Sequence, residues 1–127
     1  MNTTKQYINW ELYLQLINRL SDEISNGNVK YNSIYGIPRG GLIPATIISH
    51  KLDIPLIGTR NLISDGTLIV DDIADTGATL SKYENYHNAV IIWKSITSCI
   101  KPTYWAMHSN DPDWIVFPYE IDIERPN

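Results

Sequence analysis

Only one cysteine, Cys99, occurs among 127 residues, which excludes an internal disulfide and points to a reducing compartment. Cations are scarce too. Lys and Arg number 10 against 14 Asp and Glu, a net charge of −4, so a broad basic footprint for nucleic acid is not expected. No uninterrupted apolar run approaches the roughly 20 residues needed to cross a bilayer, so no membrane partner is expected. Met1-Asn2-Thr3-Thr4-Lys5-Gln6 holds no apolar segment of the kind a secretory leader needs. Internal repeats, low-complexity stretches and linkers are absent. His50, His87 and His108 lack metal-ligand spacing and read as surface or helix-end residues. What is present is a chain with 43% hydrophobic residues, enough for one core and too many for a disordered segment. The expectation is one soluble, cytoplasmic domain spanning residues 1–127.

Asn9 is placed to cap a helix with Glu11 in its first turn, and Tyr13, Leu16, Ile17, Leu20 and Ile24 then form one apolar stripe. Asn26-Gly27 predicts the stop, with Gly27 left-handed. Ser33–Ile37 reads as a strand. Pro38-Arg39-Gly40-Gly41 breaks it, and a helix resumes over Leu42–Leu52 with Pro44 tolerated in its first turn. Further strands are expected at Asp53–Gly58, Thr67–Val70, Ala89–Trp93, Thr103–Met107 and Trp114–Phe117, with a short helix within Gly77–Tyr86. Trp10, Trp93 and Trp105 are assigned to packing. Strands that are apolar on both parities and alternate with helices predict an α/β fold with a largely parallel sheet flanked by helices.

The informative segment is Leu68-Ile69-Val70-Asp71-Asp72-Ile73-Ala74-Asp75-Thr76-Gly77-Ala78-Thr79-Leu80. A buried strand delivers two adjacent carboxylates, a third follows, and a Thr-Gly-Ala-Thr turn opens the next element. Successive backbone N–H groups at such a turn form a cradle for a phosphate, to which the hydroxyls of Thr76 and Thr79 add donors. Three aspartates beside an anion site make sense if they face ribose hydroxyls, a divalent cation, or a sugar carbon that becomes cationic in the transition state. A sugar phosphate satisfies all of these. The alternative, a strand ending in a solvated acidic loop, suits a lone Asp-Asp better than this joined pattern.

These residues resemble the 5-phosphoribosyl-1-pyrophosphate (PRPP) signature of the type I phosphoribosyltransferases. The resemblance extends to the purine branch, notably the xanthine–guanine and hypoxanthine enzymes. Tyr7-Ile8-Asn9-Trp10 with its helix is similar to their N-terminus, Tyr35–Ala45 to their pyrophosphate loop, and Asp113–Glu120 to their base-binding stretch. The resemblance implies a Rossmann-like type I domain with a small C-terminal hood, formed by 103–127 with the N-terminal segment. It implies transfer of the 5-phosphoribosyl group from PRPP to a 6-oxopurine (guanine, xanthine or hypoxanthine), using Mg2+ and releasing pyrophosphate. Asp71 and Asp72 would hold the ribose hydroxyls, with Asp72 also in the metal shell. Asp75 would be the catalytic acid or base at the purine ring nitrogen, and Asp75, Thr76, Gly77, Ala78 and Thr79 would cradle the 5′-phosphate. Arg39 and Gly40 would bind pyrophosphate, with a cis peptide between Pro38 and Arg39. Lys94 would donate to the purine 6-oxo group, Trp114 would stack on the ring, and Ile115 would meet the base edge through its backbone. A homo-oligomer is expected as well.

Family members carry a long loop that closes over the ribose, whereas here only Thr59–Gly66 lies between Gly58 and Thr67. A lid excludes water, so its loss predicts slower transfer or PRPP hydrolysis, with Arg60 and Asn61 as remnant contacts. A competing reading is therefore a non-catalytic or weakly hydrolytic sensor of PRPP or a nucleotide. A third comes from Asp75-Thr76-Gly77-Ala78, the tetrapeptide of retroviral-type aspartic proteases, here set in an alternating α/β chain.

Overall fold

The computed structural model describes residues 4–120, and its elements follow the hydrophobic pattern closely. After a short strand β1 (Lys5–Tyr7), helix α1 runs over Trp10–Asn26. Asn9 Oδ1 accepts the Leu12 N–H at 2.8 Å, closing the first turn. Tyr13, Leu16, Ile17, Leu20 and Ile24 are buried, as their spacing predicts. The helix stop differs from expectation. Gly27 is right-handed (φ −72°), and the left-handed residue is Asn28 at φ 59°. Glycine is required at 27 for a different reason: a Cβ there would lie 2.7 Å from the Tyr104 hydroxyl.

The main sheet has five parallel strands in the order β3-β2-β4-β5-β6: β2 (Ser33–Gly36), β3 (Leu56–Ile57), β4 (Thr67–Ala74), β5 (Asn88–Lys94) and β6 (Tyr104–Ser109). Helix α2 (Leu42–Leu52) joins β2 to β3 and packs with α1 over one face, where Leu68, Val70, Ile91 and Ile92 are fully buried. The strand expected over Asp53–Gly58 shrinks to Leu56–Ile57. Asp53 is spent as the left-handed cap of α2, and Pro55 offers only its carbonyl, which accepts from Ile34 N–H at 2.8 Å.

Among the described residues, the other sheet face carries no α-helix. Tyr35, Ile69, Tyr83 and Val90 pack there under single 3-10 turns at Arg60–Leu62 and Leu80–Tyr83. The helix expected within Gly77–Tyr86 is thus one 3-10 turn, for a reason of reach. The chain must return along the seven residues of β5, about 23 Å at strand rise. The nine residues 79–87 would cover only about 14 Å as an α-helix, so the connection is stretched.

Strand β7 (Trp114–Val116) pairs in parallel with β1, placing Lys5 opposite Trp114 and Tyr7 opposite Val116. This two-stranded piece is what the described residues hold of the expected hood. It is smaller than expected, because Tyr104–Ser109 pairs with β5 from Ala89 to Lys94 and lies under α1 as part of the main sheet. Residues 1–3 and 121–127, counted with the hood in the sequence reading, lie outside the described residues. Among the described residues, no helix is long and apolar enough to cross a membrane.

The outgoing connections of β2 and β4 run to opposite faces, so their carboxyl ends diverge and leave a crevice, the usual ligand position in an open parallel sheet. Because α1 packs against β5, β6 and α2 and buries its whole apolar stripe there, its cap should matter globally. Asn9→Ala is expected to lower stability by about 1 kcal/mol, read as a lower urea midpoint at unchanged slope.

Candidate active site

The crevice is a cavity of about 290 Å³ lined by Ile37, Pro38 and Gly40 from the loop after β2 and by residues of β4 and its following loop through Leu80. Strand β4 stays paired to β5 past Val70, as far as Ala74, whereas its pairing with β2 ends at Val70; Asp71 and Asp72 thus lie within the strand rather than beyond it. The strand is therefore longer than the apolar run Thr67–Val70 suggested. Asp71 is buried, and its Oδ1 accepts the Asp72 N–H at 2.8 Å. Burial, and then the neighbouring Asp72 charge, push its carboxyl up to about 8 from an ordinary 3.8.

Asp72 is half-buried and points toward the loop after β2, where a Cβ on Gly40 would fall 2.1 Å from its Oδ2. Glycine at 40 is thus what leaves space for this carboxylate. The same Oδ2 accepts a hydrogen bond from the Tyr119 hydroxyl. Burial, followed by the charge of Asp72, raises the pKa of both Tyr119 and Tyr13, so both phenols stay protonated.

The loop after β4 has the geometry that the expected anion cradle requires. Gly77 adopts φ +84°, and a Cβ there would meet Cys99 Sγ, Ile100 Cγ2 and Ser98 Oγ, each at 2.9 Å. Cys99 N–H donates to Thr76 O at 2.8 Å, fixing the loop from behind. Among the described residues, the amides of Thr76, Gly77 and Thr79 donate to no protein acceptor, while that of Ala78 reaches Thr76 Oγ1 at 3.2 Å. The 3-10 turn that follows is too short to add a helix dipole, so the cradle rests on loop amides and hydroxyls alone.

Asp75 sits at the cavity wall. Thr97 Oγ1 donates to its Oδ1 at 2.9 Å and to its carbonyl at 2.8 Å. Lys94, at the end of β5, is buried. Its Nζ lies 3.9 Å from Asp75 Oδ1 and donates to the Asp113 carbonyl at 2.5 Å. Asp113 immediately precedes Trp114, which is 54% exposed, and Ile115, which is buried.

The structure thus brings Asp71, Asp72, Asp75, Thr76, Gly77, Ala78, Thr79 and Gly40 to one cavity. It joins Lys94 to them through Asp75, and the Trp114–Ile115 strand through Asp113. Arg39 is exposed and does not line the cavity, although its neighbours Pro38 and Gly40 do, and the Pro38–Arg39 peptide is cis. Arg60 and Asn61 are not remnant contacts to this cavity. They line a separate depression of about 300 Å³ with Ile63, Lys82, Tyr83 and Tyr86. Sequence reasoning assigned no role to Thr97 or Tyr119. Tyr119 lay inside the stretch noted for base binding, whereas nothing in the sequence marks Thr97. Trp10, assigned to packing, meets Tyr13 edge-on from a position that leaves it 51% exposed.

Among the described residues, no group of three or more His, Cys, Asp or Glu could hold a metal, so the protein offers no closed cage. The donor it offers is Asp72, at the cavity wall. That suits Mg2+, which takes one or two carboxylates and completes its shell with water and substrate oxygens.

No family model matches the chain. It is 32% identical to the xanthine–guanine phosphoribosyltransferase of Cereibacter sphaeroides over 124 aligned positions, covering 76% of this chain and 74% of the relative. It is 30% identical to the enzyme of that name from Nitratidesulfovibrio vulgaris, covering 74% and 72%. Among solved structures, a purine phosphoribosyltransferase from Pyrococcus horikoshii superposes with TM-score 0.80 at 29% identity, over 97% of this chain and 99% of that one. The xanthine–guanine–hypoxanthine phosphoribosyltransferase of Helicobacter pylori shares the fold at TM-score 0.77 and 17% identity, over 93% and 95%.

The raised Asp71 carboxyl carries a testable consequence. Between pH 4 and 8 the folded state keeps a proton that the unfolded chain has released, so stability falls as pH rises through that window. The ligand-free protein should melt at lower temperature at pH 8 than at pH 5, and Asp71→Asn should flatten that slope and melt later at pH 8. Calorimetry across the range checks this; an unchanged slope in the variant would contradict it.

Proposed function

The chain belongs to the purine phosphoribosyltransferases, and from that membership we propose that it transfers the 5-phosphoribosyl group of PRPP to a 6-oxopurine. The bond between C1′ of the sugar and the pyrophosphate oxygen breaks, and a bond from C1′ to the purine ring nitrogen forms. The products are the nucleoside 5′-monophosphate and pyrophosphate. The observation that carries this reading is the joining of three unbonded loop amides (Thr76, Gly77, Thr79) with the Asp71–Asp72 pair in one cavity. A monoester and a pentose diol are what such donors and acceptors bind side by side.

In this reading the 5′-phosphate lies against Thr76–Thr79, and the acid pair accepts the ribose 2′- and 3′-hydroxyl protons. Asp71, neutral when the cavity holds only water, ionises as those donors replace bulk desolvation with hydrogen bonds. Asp75 takes the proton of the purine ring nitrogen as the base attacks C1′, and Lys94 donates to the 6-oxo group beside it. Trp114 offers its exposed face to the ring, with the Ile115 backbone at the base edge. Arg39 and the Gly40 backbone hold the pyrophosphate. Asp72 would hold a magnesium ion, whose charge would neutralise the departing pyrophosphate.

One observation supports the second reading, a PRPP or nucleotide sensor with weak hydrolysis. The connection that is a lid in similar enzymes is here a 3-10 turn whose Arg60 and Asn61 line a separate depression, and an unlidded ribose is open to water. Following labelled PRPP with guanine, xanthine, hypoxanthine or no base separates the two. Base-dependent release of pyrophosphate is expected; saturable PRPP binding without base-dependent turnover would favour the sensor. Asp75→Asn should lower kcat by about 10²–10⁴-fold while PRPP affinity changes little by calorimetry. Arg39→Ala should weaken PRPP binding more than binding of the nucleoside monophosphate, which lacks the pyrophosphate; equal losses for both would remove Arg39 from that role.

A further inference from the structure

The connection between β5 and β6 reaches the candidate site only through its first six residues, and those contacts are concentrated on one side of the phosphate loop. It leaves Lys94 as a tight turn, in which Thr97 N–H and Ser98 N–H both donate to Lys94 O at 3.2 and 2.9 Å. From that turn Thr97 Oγ1 spans to both the carbonyl and the Oδ1 of Asp75. Two residues on, Cys99 N–H holds Thr76 O at 2.8 Å.

Resting on the transferase reading above, we propose that Thr97 is the positioning residue for Asp75, and that its hydroxyl couples the base-recognising Lys94 to the carboxylate that handles the purine proton. The hydroxyl has one proton and two acceptors on the same residue, so the bond is three-centred. It therefore ties the Asp75 side chain to the Asp75 main chain and leaves one rotamer in which both acceptors are reached. With Oδ1 facing Thr97 and, at 3.9 Å, Lys94 Nζ, Oδ2 is the oxygen left to meet a ring nitrogen. Lys94 is held independently by the Asp113 carbonyl, so base-donor and base-acceptor are set in one frame by a single five-residue turn. Thr97 is exposed, so packing does not account for it, and the loss of its hydroxyl leaves the core intact.

Three variants test this. Thr97→Val keeps shape and removes the hydroxyl; Thr97→Ser keeps the hydroxyl and removes the methyl. Thr97→Val is expected to lower kcat by about tenfold, the lower range of what a hydrogen bond to a charged group supplies, with PRPP affinity within about twofold of the parent. Thr97→Ser should return kcat to within about threefold. Asp75→Asn serves as the reference for complete loss of the carboxylate. Side-chain scalar couplings of Asp75 in the ligand-free protein provide a readout independent of turnover: one χ1 rotamer is expected in the parent and Thr97→Ser, and averaging in Thr97→Val. A single unaltered rotamer in Thr97→Val overturns the proposal, whether or not the protein turns over PRPP. So does a kcat for Thr97→Val equal to the parent's, or a loss in Thr97→Ser as large as in Thr97→Val. A parent protein inactive with every base would instead count against the transferase reading, while the couplings still decide the role of Thr97.

Discussion

Carrying two adjacent carboxylates inside a parallel sheet costs free energy, because Asp71 is buried beside a second acid and no cation among the described residues stands against it. The surroundings of the cavity answer this cost locally. The Asp72 amide donates to Asp71, Tyr119 donates to Asp72, and the glycine at position 40 leaves the space that the Asp72 carboxylate fills. The remaining cost is the part that a ligand rich in hydroxyl donors and bound cation would relieve. Without such a ligand, burial and the neighbouring Asp72 charge hold the Asp71 carboxyl well above the usual carboxylate range.

A second constraint is brevity. Once the turn at 75–78 is made, only 79–87 remain to reach β5, so among the described residues the sheet face away from α1 and α2 is covered by turns rather than by a helix. Among the described residues, the loop after β4 therefore has no long helix behind it. It is braced instead by the 95–100 connection, through Cys99 to Thr76, Thr97 to Asp75, and the close seating of Gly77 against Ser98, Cys99 and Ile100. The same brevity shapes Thr59–Gly66, where Arg60 and Asn61 are drawn onto that face and away from the cavity.

Much of this was legible from sequence. The apolar stripe of α1 and its Asn9 cap, and the position of α2 behind Pro38–Gly41, could be read from spacing, since each is a local property. The buried strands and the Asp71–Thr79 signature were read in the same way. The misreadings have local causes too. Gly27 was read as a left-handed stop when the demand on it is contact with Tyr104, a residue distant in sequence. Residues 103–109 were counted with the hood on the strength of the family resemblance, yet pairing with β5 makes Tyr104–Ser109 the edge strand of the main sheet.

The sequence by itself determined which chemistry the chain can host. Adjacent acids at a strand end, followed by a Thr-Gly-Ala-Thr turn, set both the donors and the acceptors within a dozen residues, where backbone connectivity alone holds them together. Tertiary structure decided which groups orient that chemistry. Tyr119 meets Asp72, Thr97 meets Asp75 and Lys94 meets the Asp113 carbonyl across separations of 47, 22 and 19 residues. Such contacts depend on how the sheet is ordered and how far each connection can reach, which no local pattern encodes.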